Sequence, residues 1–220
     1  MIRKKVQRLF RSPIIVLFLG IIFLLLIAYP IPKLLIQHIQ NLIHPPINPQ
    51  AVSEISQSLP DDPQIVEEWV FENIKRDAND YANWGVIFYF ASPEEVLSIK
   101  RGACFARVIV LASILAEKSI PFTLYLMPGH IWVDYARREP YVWGEGLAWI
   151  EDPTNAIFGW ENGNWRYQGS GWIKVLPAMI GIQLQLYWRI VPPTGKLAIG
   201  LFLIFTIGFI AMRIRAKVTG

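Results

Sequence analysis

The chain has 220 residues, is 53% hydrophobic and has a mean hydropathy of +0.34, which is apolar for a soluble domain. It carries 21 Lys+Arg against 17 Asp+Glu, a net +4. Eight of the positive charges sit in two short tails, so residues 12–212 carry −4, which argues against nucleic-acid binding. A single cysteine, Cys104, rules out an internal disulfide.

The tail 1–11 is basic, with Arg3, Lys4, Lys5, Arg8 and Arg11. Residues 12–32 then read as a first membrane helix, because Ser12 to Ile31 carries no charge and is long enough for a hydrocarbon core of about 30 Å. A cleaved signal peptide is the competing reading. The stretch exceeds a typical signal-peptide apolar region, however, and no A-x-A site follows. Residues 196–213 read as a second membrane helix, apolar from Leu197 to Met212, preceded by Tyr187, Trp188 and Arg189 at headgroup level. Arg213, Arg215 and Lys217 follow the apolar run, and residues 214–220 form the second tail. Both basic tails are expected in the cytoplasm. That makes a two-span protein of the cell membrane with its middle outside and the lipid bilayer as a partner.

Residues 33–60 read as a connector. Pro30 and Pro32 end the first helix, HPPINP (His44 to Pro49) is stiff, and Val52, Ile55 and Leu59 give a weak helical signal. Residues 61–190 read as one domain. Asp62-Pro63 starts a helix whose apolar face is Ile65, Val66, Trp69, Val70 and Ile74. Asp77 to Trp84 is loop-like. Ser92 and Glu95 stand at capping-box spacing and start a brief helix. A helix apolar nearly all round runs from Cys104 to about Glu117 and is ended by Ile120-Pro121, as befits the centre of a core. The period then changes: FTLYLM, HIWVDY and LAWIED read as strands, and Ile180, Ile182, Leu184 and Leu186 alternate in the same way. Helices first and strands after predict an α+β fold.

Cys104 is either a buried small hydrophobe or a nucleophile. At the head of a buried helix its sulfur meets free N–H groups and the positive end of the dipole, and Lys100, Arg101 and Arg107 add to this. A base is also required. His38 and His44 fall in or beside the connector, where interfacial or solvated positions are expected, and His130 is the only histidine of the folded region. Its bland reading is structural. For the group that orients the imidazole, Asp134 is four residues along the same strand, roughly 13 Å away. Asp152 ends the next strand and fits better, although Asp152-Pro153-Thr154 also reads as a turn initiator.

Arg101-Gly102-Ala103-Cys104, then Ser119-Ile120-Pro121, His130-Ile131-Trp132 and Asp152-Pro153-Thr154 follow in that order. The series resembles the transglutaminase-like superfamily, over about Ser92 to Asn155. The resemblance implies a transglutaminase-like, papain-like cysteine-enzyme domain with Cys104 as nucleophile, His130 as general base and acid, and Asp152 as orienter. The implied chemistry is acyl transfer from, or hydrolysis of, a peptide or amide through a thioester. Three positions depart from the family pattern: Ala103 stands where many relatives carry an acid, Ser119 replaces a glycine, and Phe105 is bulky beside the nucleophile. The backbone N–H of Cys104 is the first oxyanion donor. Trp84 is the candidate for the second, with Tyr81 and Tyr89 competing. Trp132 and Phe105 are the substrate-pocket candidates.

No D-x-D-x-D-G loop is present, and neither a metal nor a cofactor is expected. A Cys104–His130–Asp152 zinc site is remote, lacking any short ligand pair. The competing function is a non-catalytic module on the same fold that binds peptides or envelope polymers. Its grip would come from Trp143, Trp149, Trp160, Trp165 and Trp172 if they are exposed; if buried, they are core.

Overall fold

The computed structural model describes residues 13–138, 151–161 and 163–204, and they form an α+β architecture. Helix α1 (Pro13–Ala28) is followed after a short break by α2 (Pro32–Ile43). The chain bends by 90° between them, because Pro30 cannot donate the next helical hydrogen bond and Pro32 starts a new helix at its first position. The expected single helix over 12–32 is therefore cut at Ala28 and leaves 16 described residues. Among the described residues no single helix is long and apolar enough to cross a membrane, although the bent pair passes by length and composition.

The connector is docked rather than loose. The Asn48 backbone N–H donates to Ser113 Oγ (3.0 Å), and the Asn48 side chain bonds Glu94. His38 is half-buried, and its Nδ1 accepts the Phe90 N–H at 3.1 Å. A 3₁₀ turn at Gln50–Val52 leads into α3 (Ser53–Ser58). Helix α4 (Pro63–Asn73) starts as expected, with the Asp62 side chain accepting from the Gln64 N–H. It buries Val66 and Val70, while Ile65 is 42% exposed and lies off the face assigned to it.

Strand β1 (Lys75–Arg76) precedes α5 (Asp80–Trp84). This helical turn stands where a loop was expected, because Asn79 caps its start and Gly85, at φ 75°, its end. Helix α6 (Pro93–Ile99) has the full capping box: Ser92 Oγ accepts from Glu95 N, and Glu95 Oε2 accepts from Ser92 N. Strand β2 (Arg101–Gly102) pairs in parallel with β1, tying the end of α4 to the start of α7 (Cys104–Glu117).

Helix α7 is the centre of the core. From Phe105 to Leu115 only Arg107 is not buried. Ser113 satisfies its hydroxyl by donating to Ile109 O. The helix ends with Ser119 at φ 55° and the Ile120 N–H donating back to Leu115 O. Ser119 thus occupies a left-handed position, where a glycine would carry no Cβ penalty.

Strands β3 (Phe122–Met127), β4 (His130–Tyr135), β5 (Phe158–Glu161) and β6 (Asn164–Tyr167) form an antiparallel sheet in the order β4-β3-β5-β6, with Met127 opposite His130 across the first hairpin. Leu124, Ile131, Val133 and Tyr135 join the core built on α7. Trp132, Met127 and Ala156 form a second cluster. Of the expected strand LAWIED, residues 147–150 lie outside the described residues, and Glu151 and Asp152 are not in a strand.

The alternation at Ile180 to Leu186 belongs to a helix, α8 (Trp172–Ile190), not to the expected strand. Leucines and glutamines dominate the segment and favour helix. Helix α9 (Pro193–Ile204) is apolar and packs on α1: the Phe23 and Phe202 rings stack at 5.4 Å. Gly20 admits the Phe202 ring, since a Cβ there would lie 2.6 Å from it. The remainder of the expected second membrane helix, 205–213, lies outside the described residues, as do both tails.

Gly102 decides how α7 starts. Its φ is +157°, and a Cβ there would lie 2.4 Å from Ala106 Cβ. Gly102→Ala is expected to destabilise the domain by about 1–3 kcal/mol, the range for overpacking, measured as a lowered denaturation midpoint.

Candidate active site

Cys104 is the first residue of α7, and its N-cap, Ala103, offers no side-chain hydrogen bond to the helix end. The leading backbone N–H groups are thus left for another acceptor. Arg107, one turn on, donates Nε to Ile74 O (2.9 Å) and Nη2 to Phe71 O (3.3 Å), with its guanidinium over the Phe71 ring. These bonds hold a cation on the same cleft wall as Cys104. Lys100 and Arg101 are exposed.

His130 opens β4 after the turn at Pro128-Gly129, where Gly129 supplies φ 77°. The imidazole interacts with the side chain of Cys104, and the two line one cleft. On its other side, Nε2 lies 2.9 Å from Glu151 Oε1. Strand alternation places Trp132 on the same side as His130, their rings stacked 5.8 Å apart and 15° from parallel. Tyr125 stacks on Trp132 in turn.

The carboxylate that meets His130 is Glu151, not Asp152. Asp152 caps the 3₁₀ turn Pro153–Asn155, its Oδ1 accepting the Thr154 N–H at 2.7 Å. That bond turns its carboxylate to its own backbone and leaves the preceding residue to face the histidine. The turn-initiator reading of Asp152-Pro153-Thr154 was the signal, and it also makes the adjacent acid available.

Sequence reasoning missed two further groups. Arg138 Nη1 lies 2.5 Å from Glu151 Oε2. From the other side, Arg138 donates Nε (3.0 Å) and Nη2 (2.8 Å) to Glu67 Oε1, while Glu67 Oε2 accepts the Tyr135 hydroxyl at 2.6 Å. The pair Arg137-Arg138, one residue beyond the strand His130–Tyr135, was the one available hint.

Burial disfavours the charge on His130, but the hydrogen bonds and charge interactions with Cys104 and Glu151 outweigh it and push its pKa up to about 9. Burial likewise opposes ionisation of Glu151, yet His130 and the Arg138 guanidinium hold it below its ordinary value. The charges account for both directions. Glu67 and Glu151 against Arg138 leave one negative charge in a water-poor site, and an imidazolium balances it.

Cys104, His130 and Glu151 line a cleft of about 70 Å³ whose walls include Arg76, Arg107 and Trp132. Trp132 therefore stands where a pocket residue was expected. Its indole N–H is buried and has no partner among the described residues. Phe105 does not line the cleft, for it is buried among Phe88 and Phe90 in the core. Trp84 is also absent from the cleft wall and packs on Tyr89, 5.4 Å between ring centres. Tyr89 donates its hydroxyl to Glu95, and Tyr81 does not reach the cleft wall. Of the tryptophans considered for a binding surface, Trp143 and Trp149 lie outside the described residues. Trp160, Trp165 and Trp172 are half-buried, and Trp165 donates to Leu42 O.

No family model, curated protein or solved structure matches the chain. The chemistry of the site is thus argued from its own residues.

Two outcomes test this geometry. Glu151→Gln removes the charge behind His130 and is expected to slow Cys104 alkylation by about tenfold or more. Asp152→Asn keeps a capping side chain and leaves the rate within about twofold. The second concerns pH. The His130 pKa stands at about 9 in the folded chain against 6.5, so its contribution is complete below pH 6.5 and lost as pH rises through 9. His130→Gln should therefore destabilise by roughly 3 kcal/mol more at low pH than at high pH. Denaturation midpoints of both proteins at pH 6 and pH 9.5 check this.

Proposed function

We propose that this chain is a membrane-attached, transglutaminase-like cysteine enzyme that transfers or hydrolyses acyl groups of peptides or amides. The observation that carries the reading is the order Cys104–His130–Glu151 along one cleft, with the cysteine at the start of a buried helix. A packing cysteine needs no charged histidine beside it. A nucleophile does, because an imidazolium favours the thiolate as its counter-ion.

In the proposed first step the Cys104 sulfur attacks the carbonyl carbon, a C–S bond forms, and the oxygen takes up the negative charge. The N–H groups at the head of α7 receive that oxyanion. The C–N bond then breaks as His130 gives its proton to the leaving nitrogen, and a thioester remains. Water or an amine attacks next, His130 takes its proton, and the C–S bond breaks to return the thiolate. Glu151 keeps the ring oriented and its charge compensated throughout. Water as acceptor makes the enzyme a peptidase or amidase; an amine makes it a cross-linker.

The paired helices α1 and α9 supply the attachment in this proposal. Both are apolar, and they pack on each other through Phe23 and Phe202. In the same proposal, the basic residues of the two tail sequences support termini in the cytoplasm and a catalytic domain outside.

The test is the rate of Cys104 alkylation by iodoacetamide at pH 6 in the wild type and in His130→Ala. A wild-type rate at least tenfold above the variant is expected. Equal rates, or an inert thiol in both, would sink the nucleophile.

A further inference from the structure

The described residues sort their exposed apolar side chains by element. Apart from Ile65, Phe158 and Tyr167, every exposed large hydrophobic residue falls on α1, α2, α8, α9 or the elbow between α1 and α2. On α2 the exposed ones are Ile36, Ile39 and Ile43, a spacing of three and four that makes one stripe. The opposite face carries Leu34, Leu35 and Leu42 against the core. On α8 the stripe is Ile173, Ile180, Leu184 and Trp188, again at helical spacing. Lys174 and Arg189 stand beside it, not within it, and the Val175 side of the helix packs on the second cluster. Both helices thus hold the domain with one face and present apolar side chains on another.

The charges are sorted in the same way. All 17 acidic residues lie between Glu54 and Glu161, where only eight Lys and Arg accompany them, a net −9. The flanking segments, which include α1, α2, α8 and α9, hold the other 13 cations and no acid. Near Trp188 the Lys196 ammonium stands 5.7 Å from the ring centre, an aromatic with a cation of the kind that suits the headgroup layer. Finally, α2 leaves α1 at 90°. If α1 enters a bilayer along its normal, α2 runs in the plane of its surface.

We propose that α2 and α8 are in-plane helices whose stripes Ile36–Ile39–Ile43 and Ile173–Ile180–Leu184–Trp188 rest in an anionic bilayer surface, so that the domain is seated on the lipid instead of hanging from a tether. The occupant is lipid on three grounds. The stripes continue the apolar α1–α9 pair, their flanks are wholly basic, and the acidic charge is confined to the rest of the domain. The inference rests on the membrane attachment proposed above and not on the catalytic step.

The test uses the full chain with Cys104→Ser, so that a single nitroxide can be placed by cysteine substitution at Ile36, Ile180 or Leu184. Ile65, an exposed isoleucine of the acidic segment, and Leu25 of α1 serve as references. Each protein is reconstituted in phosphatidylcholine–phosphatidylglycerol discs, and relaxation by oxygen is compared with relaxation by a water-soluble nickel chelate. Labels at 36, 180 and 184 are expected to favour oxygen several-fold more than the label at 65. If they match the label at 65 while Leu25 favours oxygen, the seat is wrong and the attachment stands. If Leu25 also matches it, both fail. Spin–spin broadening at 180 or 184, with neither reagent admitted, would mean that a second copy covers the stripe and would overturn the lipid assignment. Alkylation of Cys104 in the native chain tests the catalytic reading separately.

Discussion

The site depends on a buried chain of charges running from His130 through Glu151 and Arg138 to Glu67. The side chains of Arg138 and Glu151 are each 5% exposed, so neither charge has water to fall back on. A buried ion pair is weak evidence of stability, since an apolar replacement often does as well, but removing one partner strands the other at a cost of about 3–5 kcal/mol. Each member is therefore fixed by the next. Tyr135 and Arg138 hold Glu67, Glu67 holds Arg138, Arg138 holds Glu151, and Glu151 fixes the ring that faces Cys104. The chain also links elements far apart in sequence, α4, the end of β4 and the segment before β5. The geometry of the site and the tertiary packing thus rest on the same bonds.

Helix α7 serves both demands from its two ends. Its body is buried nearly all round and gives the domain its centre. Its first residue is half-exposed at the cleft, where the helix has unpaired N–H groups by construction. Gly102 lets the preceding strand come down onto the first turn, and the β1–β2 pairing pins that strand to the end of α4. Arg107 then satisfies carbonyls at the end of α4 while staying on the cleft wall. The cysteine is set by rigid packing on three sides, which a nucleophile needs more than it needs exposure.

Much of this was legible in the sequence, and the limits have physical causes. The starts of α4 and α6 were readable because caps and prolines are local signals, and α7 was readable from its apolar run. Cys104 and His130 stood out as the only thiol and the only histidine of the domain. Glu151 was not separable from Asp152, because strand reasoning places neighbours within one residue and a one-residue shift exchanges them. The decisive fact was a side-chain-to-backbone bond, Thr154 N–H to Asp152 Oδ1. Trp84 and Phe105 lie outside the cleft wall for a related reason: distance along the chain from Cys104 says nothing about where a ring packs. Arg138 and Glu67 are 71 positions apart, and no local pattern joins them. The period-two alternation at Ile180 to Leu186 misled because two-residue and helical spacings share Ile180 and Leu184.

The elbow between α1 and α2 shows how the apolar flank is joined to the acidic domain. Tyr29-Pro30-Ile31-Pro32 forces a break, since one proline ends a helix and the next begins another. A break alone would give a hinge. Here the segment 87–90 closes it: the Ile87 N–H donates to Ala28 O (3.0 Å), the Phe90 N–H to His38 Nδ1, and Asn41 Nδ2 to Phe90 O (2.6 Å). Trp165 adds a bond from the sheet to the end of α2. A flexible tether would require none of these, and each would lose conformational entropy to no purpose. Their presence on both sides of the bend fixes the direction of α1 relative to the domain. Wherever α1 is held, the cleft with Cys104 is held at a set distance and angle from it.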